Sequence, residues 1–109
     1  MSLSTLTRKE RDEMAAYVIG AVTIHDPSWL EEYSPAVEAM VKANDGKYLI
    51  RDLEADHLEG DGAVPTVLVV LEFPSTEQAR NWYDSPEYQP YIKMRQAGAT
   101  GDLFLVAGL

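Results

Sequence analysis

The sequence predicts an α+β domain with six elements, in the order strand, helix, strand, strand, helix, strand, built on one four-stranded antiparallel sheet. Three observations predict it. The runs Tyr17 to Ile24 and Thr66 to Phe73 are β-rich and apolar on both alternations, as strands covered on both faces are. The polar segments after them open with helix-capping residues, Asp26-Pro27 and Ser75 with Gln78, and carry apolar residues at helical spacing. With right-handed crossovers this order gives the split βαβ arrangement of the ferredoxin-like fold. The 109 residues suffice for one such domain, spanning 16–109, preceded by an arm or short helix over 1–15.

In the arm, Thr7 and Glu10 have the spacing of a capping box, and only Leu3, Leu6 and Met14 offer apolar anchorage. The first strand follows, Tyr17 to Ile24. Asp26 then caps a helix with Pro27 in its first turn, and Leu30, Tyr33, Val37, Met40 and Val41 form its apolar side. Pro35 is expected to kink that helix or restart it after Ser34, because an interior proline lacks the amide donor and crowds the preceding turn. Asn44-Asp45-Gly46 ends it. Lys47 to Asp52 is the second strand, joined through a polar stretch with Glu59-Gly60-Asp61-Gly62 to the third, Thr66 to Phe73, which Pro74 stops. The expected connection is a hairpin with a bulge or long loop. Ser75 opens a helix with Ala79, Trp82 and Tyr83 inward; Ser85-Pro86 opens another helical piece toward Ala97, ended by Gly98. Leu103 to Ala107 is the last strand. Both helices cover one sheet face, so the other apolar face calls for a partner, and the economical one is a second copy in C2 symmetry.

Composition narrows the function. Eighteen acidic against nine basic side chains give a net charge of −9, the wrong sign for gripping nucleic acid or an anionic membrane. There is no apolar run long enough to span a bilayer and no signal-peptide pattern. Zero cysteines remove disulfides and thiol chemistry and suit a cytoplasmic location. The sequence also lacks a nucleophile elbow, a P-loop and a dinucleotide fingerprint. Any catalysis would use acids, bases and electrostatics without a cofactor, on a substrate that brings its own reactivity.

The segments Ala16-Tyr17-Val18-Ile19-Gly20, Asp26-Pro27, Glu32-Tyr33, Tyr48-Leu49-Ile50-Arg51, Leu58-Glu59-Gly60, Glu72-Phe73-Pro74-Ser75 and Trp82-Tyr83-Asp84-Ser85-Pro86-Glu87-Tyr88 occur in one order and spacing that closely resembles the domain-of-unknown-function family 1330. The resemblance covers about Ala16 to Gly108. It implies a subunit of the dimeric α/β-barrel superfamily, related in fold to cofactor-free monooxygenases, lactone isomerases and stress-responsive barrel proteins. It implies no reaction.

The candidate site residues follow from position and chemistry. Arg51 and Glu72 are charges inside apolar strands expected to be neighbours. They read either as a cross-strand ion pair or as a pocket floor shared with Tyr33, in which Arg51 anchors a carboxylate or enolate and Glu72 is its partner or a base. His25 stands at the carboxyl end of the first strand, a proton-transfer candidate or a solvated turn histidine. His57 lies in an acidic loop with no recognisable metal spacing. Tyr33 and Tyr88 each follow a glutamate close to a proline break, where a phenol can reach a cavity. Trp82 and Tyr83 suit a planar ligand or simple packing. Arg95, two helical turns after Tyr88, could bind an anion or pair with Glu87 or Asp84. The expected function is therefore binding of a small acidic or enolisable molecule by a homodimer, with or without cofactor-free isomerase or oxygenase turnover. The alternative is a dimerisation module whose pocket is only a packing defect.

Overall fold

The computed structural model describes residues 7–108, the side chains of 11–13 excepted, so Leu3 and Leu6 lie outside the described residues. Helix α1 (Arg8–Glu13) begins with half a capping box realised: the Glu10 amide donates to Thr7 Oγ1 at 3.1 Å. Strand β1 (Ala16–Ile24) leads to Asp26, whose Oδ1 accepts the Ser28 amide at 3.0 Å and starts a tight helical turn over Pro27–Trp29. Helix α2 (Leu30–Ala43) continues directly from it. It does not restart at Pro35; apolar burial along the Val37 and Val41 side outweighs the one amide donor that proline removes. Asp45, at φ 63°, ends α2 in the left-handed conformation, with the Gly46 amide donating to Val41 O and the Asp45 amide to Lys42 O.

Strands β2 (Lys47–Asp52) and β3 (Val67–Phe73) form the hairpin, and Ser75 caps α3 (Thr76–Asp84) by accepting the Gln78 amide. Pro86 to Tyr88 form a turn, and α4 (Gln89–Gly98) begins three residues later than the Ser85-Pro86 signal predicts, with Pro90 in its first turn. Strand β4 (Ala99–Ala107) begins four residues earlier than expected. Thr100, Gly101 and Asp102 are weak strand formers, but each pairs with β1, and at Gly101 a Cβ would stand 2.3 Å from Ala21 O. At Gly98 a Cβ would meet the Trp29 indole at 2.5 Å, so this glycine lets α4 close onto the turn after β1.

The sheet order is β2-β3-β1-β4, every pair antiparallel, as the split βαβ reading requires. The helical layer covers one face, with Val18, Val37, Val41, Leu71, Phe73, Trp82 and Tyr88 at the centre of the core. Across the other face the register aligns Ile50, Val70, Ile19 and Phe104 in one apolar row spanning all four strands. Beside it run Lys47, Glu72, Tyr17 and Val106 on one flank and Asp52, Leu68, Ala21 and Asp102 on the other.

A bulge in β2 decides where Arg51 goes. Lys47 pairs with Glu72 and Tyr48 with Leu71, but Ile50 pairs with Val70, leaving Leu49 as the extra residue. In a regular hairpin Arg51 would oppose Leu68 and share the open face with Glu72. The bulge gives it Val69 instead and turns it to the helical side.

Candidate functional site

Between the sheet and the helical layer lies a cavity of about 270 Å³. Val18, Val22, Val69, Leu71 and Leu103 form its sheet wall, and Trp29, Tyr33, Val37, Trp82 and Tyr88 its helical wall. Two charged side chains line it, Arg51 and Arg95.

The inner end is built from three separate elements. Tyr33 comes from the first turns of α2, aligned by the Asp26 cap and held edge-on against Trp29 with ring centres 4.9 Å apart. Tyr88 comes from the turn before α4; its ring stacks on Trp82 at 4.6 Å, and Trp82 stacks on Phe73 at 5.5 Å, a column that fixes the phenol. Arg95 lies two turns along from Tyr88, on the same side of α4. The two phenol oxygens are 2.6 Å apart, and Arg95 Nη1 donates to Tyr88 at 2.9 Å and to Tyr33 at 3.3 Å.

Electrostatically this cluster is under-satisfied. Arg95 is only 9% exposed, and Tyr88 only 1%. Burial pushes the Tyr88 phenol far up, the neighbouring Tyr33 adds to this, and Arg95 offsets only part of it, so Tyr88 is a neutral donor at physiological pH. Burial works against the Arg95 charge, but the oxygens of Tyr88 and Tyr33 more than offset it, so the guanidinium stays charged with its value raised. Among the described residues no carboxylate pairs with it, and the buried side-chain donors left without a partner are the indole nitrogens of Trp29 and Trp82, both on the cavity wall. Neither Glu87 nor Asp84 takes the role open to them from sequence.

At the outer end Arg51 is exposed, its guanidinium carbon 4.5 Å above the Tyr48 ring. Burial is the main cause that raises the Tyr48 phenol. Tyr48 and Trp29 were not among the sequence candidates; the bulge and the Gly98 contact that position them are tertiary features, and neither residue type signals them.

The other candidates lie elsewhere. Glu72 and Arg51 do not meet, contrary to the shared pocket floor expected of neighbouring strands, because the bulge separates them by face. Glu72 instead bridges Lys47 at 3.3 Å, and its carboxylate raises the Tyr17 phenol on the neighbouring strand. His25 is exposed, with Nε2 3.0 Å from Thr100 Oγ1 and its amide donating to Gly98 O. His57 contacts Glu59 O at 3.0 Å in the long loop. Tyr83 packs edge-on to Tyr88 and faces a second hollow of about 250 Å³ between α3 and β4. Among the described residues no group of three or more His, Asp or Glu is gathered as a metal site, and no helix is long and apolar enough to cross a membrane.

Fold and cavity together define a class: a four-stranded α+β protein whose helices roof an apolar cavity, with an arginine donating to a pair of hydrogen-bonded phenols. The chain belongs to the domain of unknown function family DUF1330, which it matches over residues 15–109. Its fold is shared by a protein of unknown function from Rhodopseudomonas palustris, 16% identical, TM-score 0.74, with 89% of this chain and 84% of that one covered. It is also similar to SnoaB, a cofactor-independent oxygenase from Streptomyces nogalater, at 14% identity and TM-score 0.64, over 88% and 94% of the two chains. Rv0793 from Mycobacterium tuberculosis is 21% identical, TM-score 0.51, over 87% and 95%. At these identities the likeness is one of fold. No curated protein matches the chain.

Proposed function

We propose that this protein is a homodimer whose subunits each bind a small organic acid, as its carboxylate or enolate, in the cavity under α2 and α4. The observation that carries this is Arg95: an arginine nine-tenths buried, hydrogen-bonded to two phenols with no acidic partner among the described residues, beside an apolar cavity. Burying a charge without a counter-charge is costly, and a ligand anion would supply what the chain does not. Titration with benzoate and its neutral isostere benzamide, followed by tryptophan fluorescence from Trp29 and Trp82, tests it. Benzoate should bind, benzamide far more weakly, and Arg95→Gln should lose the difference. Equal binding of both, or benzoate binding unchanged in Arg95→Gln, would overturn the reading.

The same cluster supports cofactor-free turnover of an enolisable substrate as a second reading, the arginine stabilising the enolate. His25 and Glu72 are not among the lining residues, which leaves the phenols of Tyr33, Tyr48 and Tyr88 to exchange a proton with a bound molecule, and burial raises the latter two. Deuterium exchange at C3 of a 2-oxo acid, catalysed by the parent and lost in Tyr33→Phe, is the expected sign. Exchange at the uncatalysed rate would leave binding alone.

Dimerisation is proposed through the open sheet face, where, among the described residues, no helix packs over the apolar row from Ile50 to Phe104 and its two ends are exposed. A specific interface there should bury more than ~1,000 Å² in total.

A further inference from the structure

The cavity is charged at two ends, and both charges are positive. The chain has eighteen acidic side chains and five arginines, yet among the described residues no acidic side chain lines the cavity and two of the arginines do. Neither is in an ion pair among the described residues. The nearest acid in sequence to Arg51, Asp52, is already engaged, its Oδ1 accepting the Glu54 amide at 2.8 Å. Arg51 reaches the cavity only because β2 is bulged at Leu49, and its guanidinium carbon stands over the Tyr48 ring at the outer end while Arg95 is buried at the inner end. The rings of Trp29, Tyr33 and Tyr48 line the same cavity, surfaces suited to a flat apolar body.

We infer that the preferred ligand is a planar aromatic molecule with two acidic groups, one meeting Arg95 and the other Arg51. This rests on the acid-binding reading above and adds the second group. A monoacid would satisfy Arg95 and leave Arg51 to solvent. The gain from the exposed arginine is modest because water screens it, about fivefold in affinity. A non-specific charge effect would run the other way, since a protein of net charge −9 repels a dianion more than a monoanion.

Calorimetric titration with benzoate, phthalate, isophthalate and terephthalate, at constant ionic strength, tests the inference. The parent should bind at least one diacid about fivefold more tightly than benzoate. Arg51→Gln should bring that diacid to the benzoate level and leave benzoate unchanged, whereas Arg80→Gln, the same charge change away from the cavity, should alter neither. If benzoate binding needs Arg95 but no diacid binds more tightly, or the advantage survives in Arg51→Gln, the second group is wrong and the acid-binding reading stands. If none of the acids binds, or Arg95→Gln leaves binding intact, both fail.

Discussion

Arg95 is a buried side chain whose two phenol bonds keep it charged but give it no counter-charge. Replacing a buried charge by an apolar side chain of similar volume is often neutral or stabilising, so Arg95→Met should melt at or above the parent temperature. The same change should weaken binding of a small carboxylate by roughly 2 to 5 kcal/mol, the usual loss when one partner of a buried charge pair is deleted. A lower melting temperature with affinity retained would mean that Arg95 is structural. Asp26 shows the opposite economy: the Ser28 amide and hydroxyl hold its carboxyl below the usual carboxylate range. Because its folded value lies below the unfolded one, its stabilising effect is complete above an unfolded pKa of ~3.9 and is lost as pH falls through the folded value. The stability gap between parent and Asp26→Asn should therefore narrow when urea unfolding is compared at pH 6 and pH 3. Tyr33, Tyr88 and Arg95 were each legible in sequence, from proline breaks and a two-turn spacing. Their mutual hydrogen bonds were not, since they depend on how α2 and α4 pack.

Among the elements, those with strong local signals matched the sequence to within a residue or two: β1, β2, β3, the Asp26 start and the Ser75 cap. The misses share a cause, which is that pairing or packing overrode propensity. β4 extends through Thr100, Gly101 and Asp102 because β1 offers a full ladder to pair with, and α2 ignores Pro35 because its buried side is continuous. The proline remains a local liability on the exposed side of α2. Pro35→Ala restores an amide donor and should raise unfolding stability by about 1 to 3 kcal/mol, measured by denaturant titration. Unchanged or reduced stability would show that the proline sets the angle at which α2 delivers Tyr33. The bulge at Leu49 has no sequence signature at all; Lys47 to Asp52 scans as an ordinary strand, and the inferred pairing of Arg51 with Glu72 failed there.

At the scale of the whole molecule the open sheet face carries exposed apolar side chains, Ile50, Phe104 and Val106 among them, and its centre is sharply patterned: one apolar row between two mixed rows. Phe104, 60% exposed at one end of that row, is the position to test. The parent should sediment as twice the 12.1 kDa chain at micromolar concentration, and Phe104→Asp should shift it toward monomer without unfolding it. A parent that sediments as a monomer would refute the dimer. Ile50 and Arg51 are consecutive residues, and the bulge sends the first into this row and the second into the cavity. Regular pairing of the same strand would exchange their faces. In the proposed dimer, a second subunit clamping Ile50 would also hold Arg51 over a bound acid, and the acid, by engaging Arg51, would keep Ile50 presented to the second subunit. Subunit and ligand would then be reciprocal effectors, each expected to tighten the other's binding by the same factor. Deleting Leu49 would regularise β2 with both side chains left on their present faces, and that mutual tightening should then disappear.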